Sequence, residues 1–213
     1  MKMKIALKNV SFVLLLLKMC VIFSQEQALK NRIILDPGHG GRDFGTMTKS
    51  GIKEKDVALN IAREVLRLNK KLNSPLEILL TRYTDTLVSL ADRSELARSL
   101  DADLLVSLHL NHAENPSARG IEVYIGDRPS KYLSASIWLS YKLQKNFISA
   151  LGFESRGVKF ADFKVLRDAT NWYPACLVEI GFLSNPDERN YLTQGKHITF
   201  IAKVILTTII NHN

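Results

Sequence analysis

Strand-length apolar runs alternate with amphipathic, helix-length segments along this chain, and that alternation leaves few folds open. Ile33-Ile34-Leu35-Asp36 runs into Pro37-Gly38-His39-Gly40-Gly41, a short buried strand broken by a tight turn that presents His39 at the strand's carboxyl end. After a loop over 40–50, a helix is expected from Glu54, because Val57, Ile61, Val65, Leu68 and Leu72 recur every three or four residues. Asn73-Ser74-Pro75 stops it. Residues 76–80 read as a second strand, 90–100 as a short helix, 103–109 as a third strand and 120–125 as a fourth. A long helix over 131–151, strands at 163–166 and 175–180, and a final helix over 197–210 complete the series. The expectation is a single three-layer α/β domain with a central six-stranded, mostly parallel or mixed sheet flanked by helices. The strands at 76–80 and 120–125 lack a full crossover helix beside one neighbour, which predicts an antiparallel edge.

The first two dozen residues stand apart from this pattern. Lys2, Lys4 and Lys8 precede the mostly apolar stretch 10–23, and Ser24-Gln25-Glu26 turns polar. That is the layout of a secretory signal peptide over residues 1–24; an uncleaved N-terminal anchor is the alternative. Export places the mature domain, residues 31–212, in the periplasm or cell envelope, with no stable membrane insertion after signal removal. The whole chain carries +8; without residues 1–24, which hold four lysines and no acid, it carries +4. A mildly basic exported domain suits a polyanionic surface such as a cell wall. No basic cluster with interleaved aromatics is present, so nucleic-acid binding finds no support. Of two cysteines, Cys20 leaves with the signal, so the mature chain forms no internal disulfide. Cys176 sits in an apolar strand, three residues from Glu179 and so on the opposite face, as a structural side chain.

Three metal-competent residues lie where such a fold gathers ligands, at the carboxyl ends of strands. His39 and His109 end two strands, and Glu54 opens the helix beyond the first. Two imidazoles and a carboxylate, with a position left for water, make a hydrolytic zinc site. Glu179 ends the apolar strand Leu177-Val178, where an acid is costly unless paired or functional; beside a metal it would serve as general base. Each has another reading. His39 could cap a turn, Glu54 could serve only the helix dipole, and Glu179 could pair with an arginine such as Arg167. His112 follows His109 on a loop and reads as solvent or substrate-rim histidine, and His197 and His212 as solvated surface. Asn111 and Arg167 could contact substrate, form an ion pair or shape a loop.

A longer set of segments resembles one family. Ile34-Leu35-Asp36-Pro37-Gly38-His39-Gly40-Gly41 is followed by Glu54-Lys55-Asp56-Val57-Ala58-Leu59, Leu80-Thr81-Arg82 and Ser107-Leu108-His109-Leu110-Asn111. Gly120-Ile121-Glu122-Val123-Tyr124, Arg156-Gly157-Val158-Lys159, Val165-Leu166-Arg167 and Pro174-Ala175-Cys176-Leu177-Val178-Glu179-Ile180-Gly181-Phe182 then occur in order. Together they resemble the zinc-dependent N-acetylmuramoyl-L-alanine amidases over nearly the whole mature chain. The resemblance implies one Zn2+ ion held by His39, Glu54 and His109, with Glu179 as the catalytic glutamate. It also implies peptidoglycan as substrate, cut at the amide between N-acetylmuramic acid and L-alanine, in wall remodelling or daughter-cell separation. A zinc peptidase acting within stem peptides and a catalytically inactive wall-binding module are the alternatives. Larger members of the family carry a regulatory insertion after the strand at 120–125 that plugs the site. Here one amphipathic helix fills that interval, so an open site needing no activator is expected, without length for an appended wall-binding module.

Overall fold

The computed structural model describes residues 31–74 and 76–212; the expected signal peptide lies outside the described residues. Six strands form one sheet in the order β2-β1-β3-β6-β4-β5. They are β1 (Arg32–Pro37), β2 (Glu77–Leu80), β3 (Leu104–Asn111), β4 (Ile121–Gly126), β5 (Ser155–Ala161) and β6 (Ala175–Phe182). β1 pairs in parallel with β2 and β3, β3 with β6, and β4 with β5; β4 runs antiparallel to β6. The mixed, mostly parallel six-stranded sheet is as the sequence implies. The antiparallel pairing, however, sits between two interior strands rather than at an edge, and both edge strands are parallel to their neighbours.

Among the described residues six helices flank the sheet: α1 (Glu54–Lys71), α2 (Leu90–Ser99), α3 (Leu133–Leu151), α4 (Lys164–Ala169), α5 (Pro186–Thr193) and α6 (Gly195–Ile210). Alternation along each strand divides them into two layers. Ile33, Leu35, Val106, Leu108, Cys176, Val178 and Ile180 point to one face, against Val57 and Ile61 of α1, Leu139 and Leu143 of α3 and Ile201 and Ile205 of α6. Ile34, Leu105, Ala175 and Leu177 point to the other, against Ala97 of α2 and Val165, Leu166 and Ala169 of α4. Cys176 is fully buried on the first face and Glu179 lies on the second.

The segment 163–166 is not a strand. Phe163 is the N-cap of α4, and Val165, Leu166 and Ala169 bury at helical spacing, a pattern that four apolar residues cannot distinguish from a strand. The true fifth strand, Ser155–Ala161, is an edge with mostly exposed or half-exposed side chains, so its sequence carries no apolar run. α5 lies outside the sequence expectations, though its start is written plainly. Asn185 accepts hydrogen bonds from the Asp187 and Glu188 amides, and Pro186 stands in the first turn.

Candidate metal centre and groove

Register brings the polar residues together. His109 and Glu179 are partners in the β3–β6 ladder, and Glu179 and Glu122 are partners across β6–β4. All three lie on the face covered by the short helices α2 and α4. Glu54 belongs to α1, on the other face, but as that helix's first residue it reaches across the sheet's end. Its Oε1 lies 2.9 Å from His109 Nδ1 and 3.1 Å from His39 Nε2. One ligand atom from each of the three residues lies within 4.8 Å of the other two.

The turn bearing His39 is sharper than flanking glycines alone would require. His39 itself adopts φ 59°, a left-handed conformation that costs a non-glycine residue about 1–2 kcal/mol. Two buried arginines hold it. Arg93 donates from Nη2 to the His39 carbonyl (2.7 Å) and from Nη1 to the Pro37 carbonyl (2.9 Å) and Asp36 Oδ1 (2.5 Å). Arg82 donates from Nε to the Pro37 carbonyl (3.0 Å) and from Nη2 to those of Gly38 and Lys55 (both 2.8 Å). Thr81 and Ser107 donate to the two oxygens of Asp36 (2.6 and 2.7 Å). Burial alone would raise the Asp36 pKa, but the charge of Arg93 and these hydrogen bonds hold it below its ordinary value. Two glycines are needed for room. A Cβ on Gly38 would stand 2.3 Å from His109 Cε1, and one on Gly45 2.4 Å from Glu54 Oε2 and 2.6 Å from His39 Cδ2.

Two of the three candidate ligands, His39 and Glu54, are oriented from behind. Asp43 Oδ2 lies 2.9 Å from His39 Nδ1, which turns Nε2 inward. The Thr46 amide donates to Glu54 Oε2 (2.9 Å) and the Leu110 amide to Oε1 (3.1 Å). Burial opposes ionisation of Glu54, yet hydrogen bonds from His109 and His39 hold its pKa far below the carboxylate range. Burial likewise lowers the His39 pKa, and the hydrogen bonds and charges of Glu54 and Asp43 raise it above its ordinary value. An ionised carboxylate and an imidazole drawn toward protonation mark a point where positive charge is favoured. Nitrogen, nitrogen and oxygen donors meeting there fit a zinc ion, whose tetrahedral bonds of about 2.0–2.1 Å set neighbouring ligand atoms roughly 3.3 Å apart.

Glu179 differs from these. Among the described residues it pairs with no arginine, and Arg167 instead binds Asp162 at 2.8 Å. Its Oε2 is buried without a hydrogen-bond partner among the described residues. Burial pushes its pKa up to about 7, with Glu54 and Glu122 adding to the rise and His109 and His39 opposing it. A dication alongside would draw that value down. A groove of about 550 Å³ opens above these side chains, walled on one side by Leu87–Leu90 and on the other by Phe163–Val165.

The sequence candidates thus divide. His39, Glu54, His109 and Glu179 meet at one end of the sheet. His112 is exposed on the groove's rim, outside the ligand group. Asn111 lines the groove and donates to Glu122 (2.5 Å). His197 is not solvated surface but is stacked on Tyr191, with ring centroids 3.9 Å apart, and His212 is partly buried. Asp43, Asp36 and Arg93 had no role assigned from sequence. Asp43 carried a local signal, four residues after His39 in a glycine-rich turn; Arg93 carried none, being 54 residues from the carbonyl it holds.

Comparison with known proteins is consistent with this geometry. Residues 33–211 match the family described as N-acetylmuramoyl-L-alanine amidase. The chain is 36% identical over 175 residues to the N-acetylmuramoyl-L-alanine amidase LytC of Bacillus subtilis, covering 81% of this chain and 34% of that protein. It is 30% identical over 224 residues to the amidase AmiA of Escherichia coli, covering 86% of this chain and 76% of that protein. Its fold is similar to the catalytic domain of CwlV, an amidase from Bacillus (Paenibacillus) polymyxa var. colistinus. There the TM-score is 0.76 and the identity 32%, over 85% of this chain and 97% of that domain. The chain spans between about a third and two thirds of the length of the first curated relatives it matches.

Proposed function

This chain belongs to the N-acetylmuramoyl-L-alanine amidase family, and on that premise we propose that it hydrolyses the amide joining N-acetylmuramic acid to L-alanine in peptidoglycan. The observation that carries the reading is the meeting of His39, Glu54 and His109 beside a buried, unpartnered carboxylate oxygen of Glu179. His39 Nε2, Glu54 Oε1 and His109 Nδ1 would hold one zinc ion. Zinc bound there would supply a Lewis acid that polarises the amide carbonyl and brings the pKa of a water to about 7.

The chain's own residues supply the rest. Asp43 fixes the His39 ring, and the Thr46 and Leu110 amides fix Glu54, so two of the three donors are set before substrate arrives. Glu179 takes the proton of the attacking water and returns it to the leaving nitrogen of L-alanine. A carboxyl raised by burial, with no competing partner, suits both halves of that transfer. Export to the periplasm or cell envelope puts the enzyme with its polymer. The site works without an activator: α3, the only helix between β4 and β5, packs Leu139 and Leu143 on the opposite face, and no residue of 127–154 lines the groove.

Digestion of purified peptidoglycan tests the reading. The expected products are free peptides beginning with L-alanine and glycan strands bearing unsubstituted lactyl groups, identified by mass spectrometry. A chelator stops the release and added zinc restores it. Shortened peptides still joined to muramic acid would instead identify a peptidase, and wall binding without cleavage an inactive module. Silence until a partner protein is added would overturn the open site.

A further inference from the structure

The polar face of the sheet continues past Glu179. Glu122, its register partner on β4, is 3% exposed and is surrounded by donors. Asn111 Nδ2 (2.5 Å), the Tyr124 hydroxyl (3.1 Å), Arg156 Nε (3.2 Å) and the Lys159 ammonium all donate to it. One cation suffices to neutralise one buried carboxylate, and here there are two. Neither cation is buried, since their side chains are 38% and 40% exposed against 4% for Glu122. Arg156 commits only Nε to Glu122. Its Nη1 reaches the Arg119 carbonyl at 3.4 Å, and Nη2 has no partner among the described residues. The guanidinium lies 4.9 Å from the Phe182 ring centroid and Lys159 Nζ 5.7 Å from that of Tyr124, so both heads are braced.

We propose that Arg156 and Lys159, anchored by Glu122, form an anion subsite that takes a free carboxylate on the peptide side of the substrate. This rests on the amidase reading of the groove. The reach is suitable. The heads of Arg156 and Lys159 sit at Glu122 on β4, one strand spacing or roughly 5 Å from Glu179 on β6, and an extended peptide covers that in about two residues. The planar guanidinium with unspent donors matches a carboxylate, whereas a carboxamide offers it one neutral acceptor. Asn111, which lines the groove and binds Glu122, joins the subsite to the cleavage point.

The test is a pair of substrates differing at one group: N-acetylmuramoyl-L-alanyl-D-isoglutamate and its isoglutamine counterpart. The zinc-loaded protein is expected to favour the acid by about tenfold or more in kcat/KM, carried mainly by KM. In the double variant Arg156→Gln, Lys159→Gln the ratio of acid to amide falls toward one. Equal rates with both substrates in the unaltered protein, or an undiminished preference in the variant, overturn the subsite. The comparison in the unaltered protein stands even where the variant fails to fold. If neither substrate is cut, the amidase reading fails instead. The subsite is then judged by calorimetry with L-alanyl-D-isoglutamate and L-alanyl-D-isoglutamine, where equal affinities overturn it and tighter binding of the acid sustains it.

Discussion

Leu108 and His109 are neighbours in β3, and Val178 and Glu179 are neighbours in β6, yet the sheet divides each pair between two different environments. Leu108 and Val178 have no exposed surface and face the long helices α1, α3 and α6, of 18, 19 and 16 residues. His109 and Glu179 face the layer made by α2 and α4, of 10 and 6 residues. Two short helices bury Ile34, Leu105 and Leu177 but leave the strands' ends uncovered, and the groove is that uncovered strip. The polar face is itself graded. Asp36 is fully paired and holds the His39 turn in shape, whereas Glu179 keeps an oxygen without a partner. Charge that fixes geometry is satisfied, and the charge proposed to move a proton is left open.

The sharpest way to break this comparison is to change adjacent residues on opposite faces. Glu179→Gln is expected to lower turnover about 10²–10⁴-fold while zinc content and the melting temperature stay as they were. Metal analysis and a thermal melt check the second half, and retained turnover would remove Glu179 from its role as base. Leu108→Ala should do the reverse. It opens a cavity in the sealed face and costs about 2–5 kcal/mol of stability in denaturant titration, with activity per folded molecule preserved. Were Leu108→Ala to cost activity rather than stability, the two faces would not be separable in this way.

Much of this division can be read from the amino-acid sequence. β1, β3 and β6 appear as apolar runs, and the polar residue at each end falls on a predictable face because strand side chains alternate strictly. Glu54 is legible too, since the periodicity of α1 begins there. Other features depend on contacts that no local pattern encodes. The left-handed φ of His39 is maintained by Arg93, from a helix far along the chain, and Gly45 matters because Glu54 and His39 crowd the space beside it. β5 escapes detection because an edge strand with Arg156 and Lys159 turned toward Glu122 has no apolar period to display. The residues hardest to read are those whose partners lie on other elements.

Asp43 offers a finer test of how the polar face is held. Its side chain is 52% exposed, so its energetic weight as an ion pair is small. Its use is orientation, with Oδ2 at 2.9 Å from His39 Nδ1 and Oδ1 accepting from the Gly45 amide at 3.1 Å. Asp43→Ala removes both restraints, leaving the His39 ring free to rotate about a backbone still held by Arg93. The expected loss is about 10–100-fold in zinc affinity, read by competition with a chelator of known strength. Asp43→Asn recovers part of that loss, because the carboxamide oxygen can accept one of the two hydrogen bonds. If Asp43→Ala binds zinc as tightly as the unaltered protein, the ring is oriented by the strained turn and its arginines alone. The restraint on the site would then lie wholly in the buried part of the polar face.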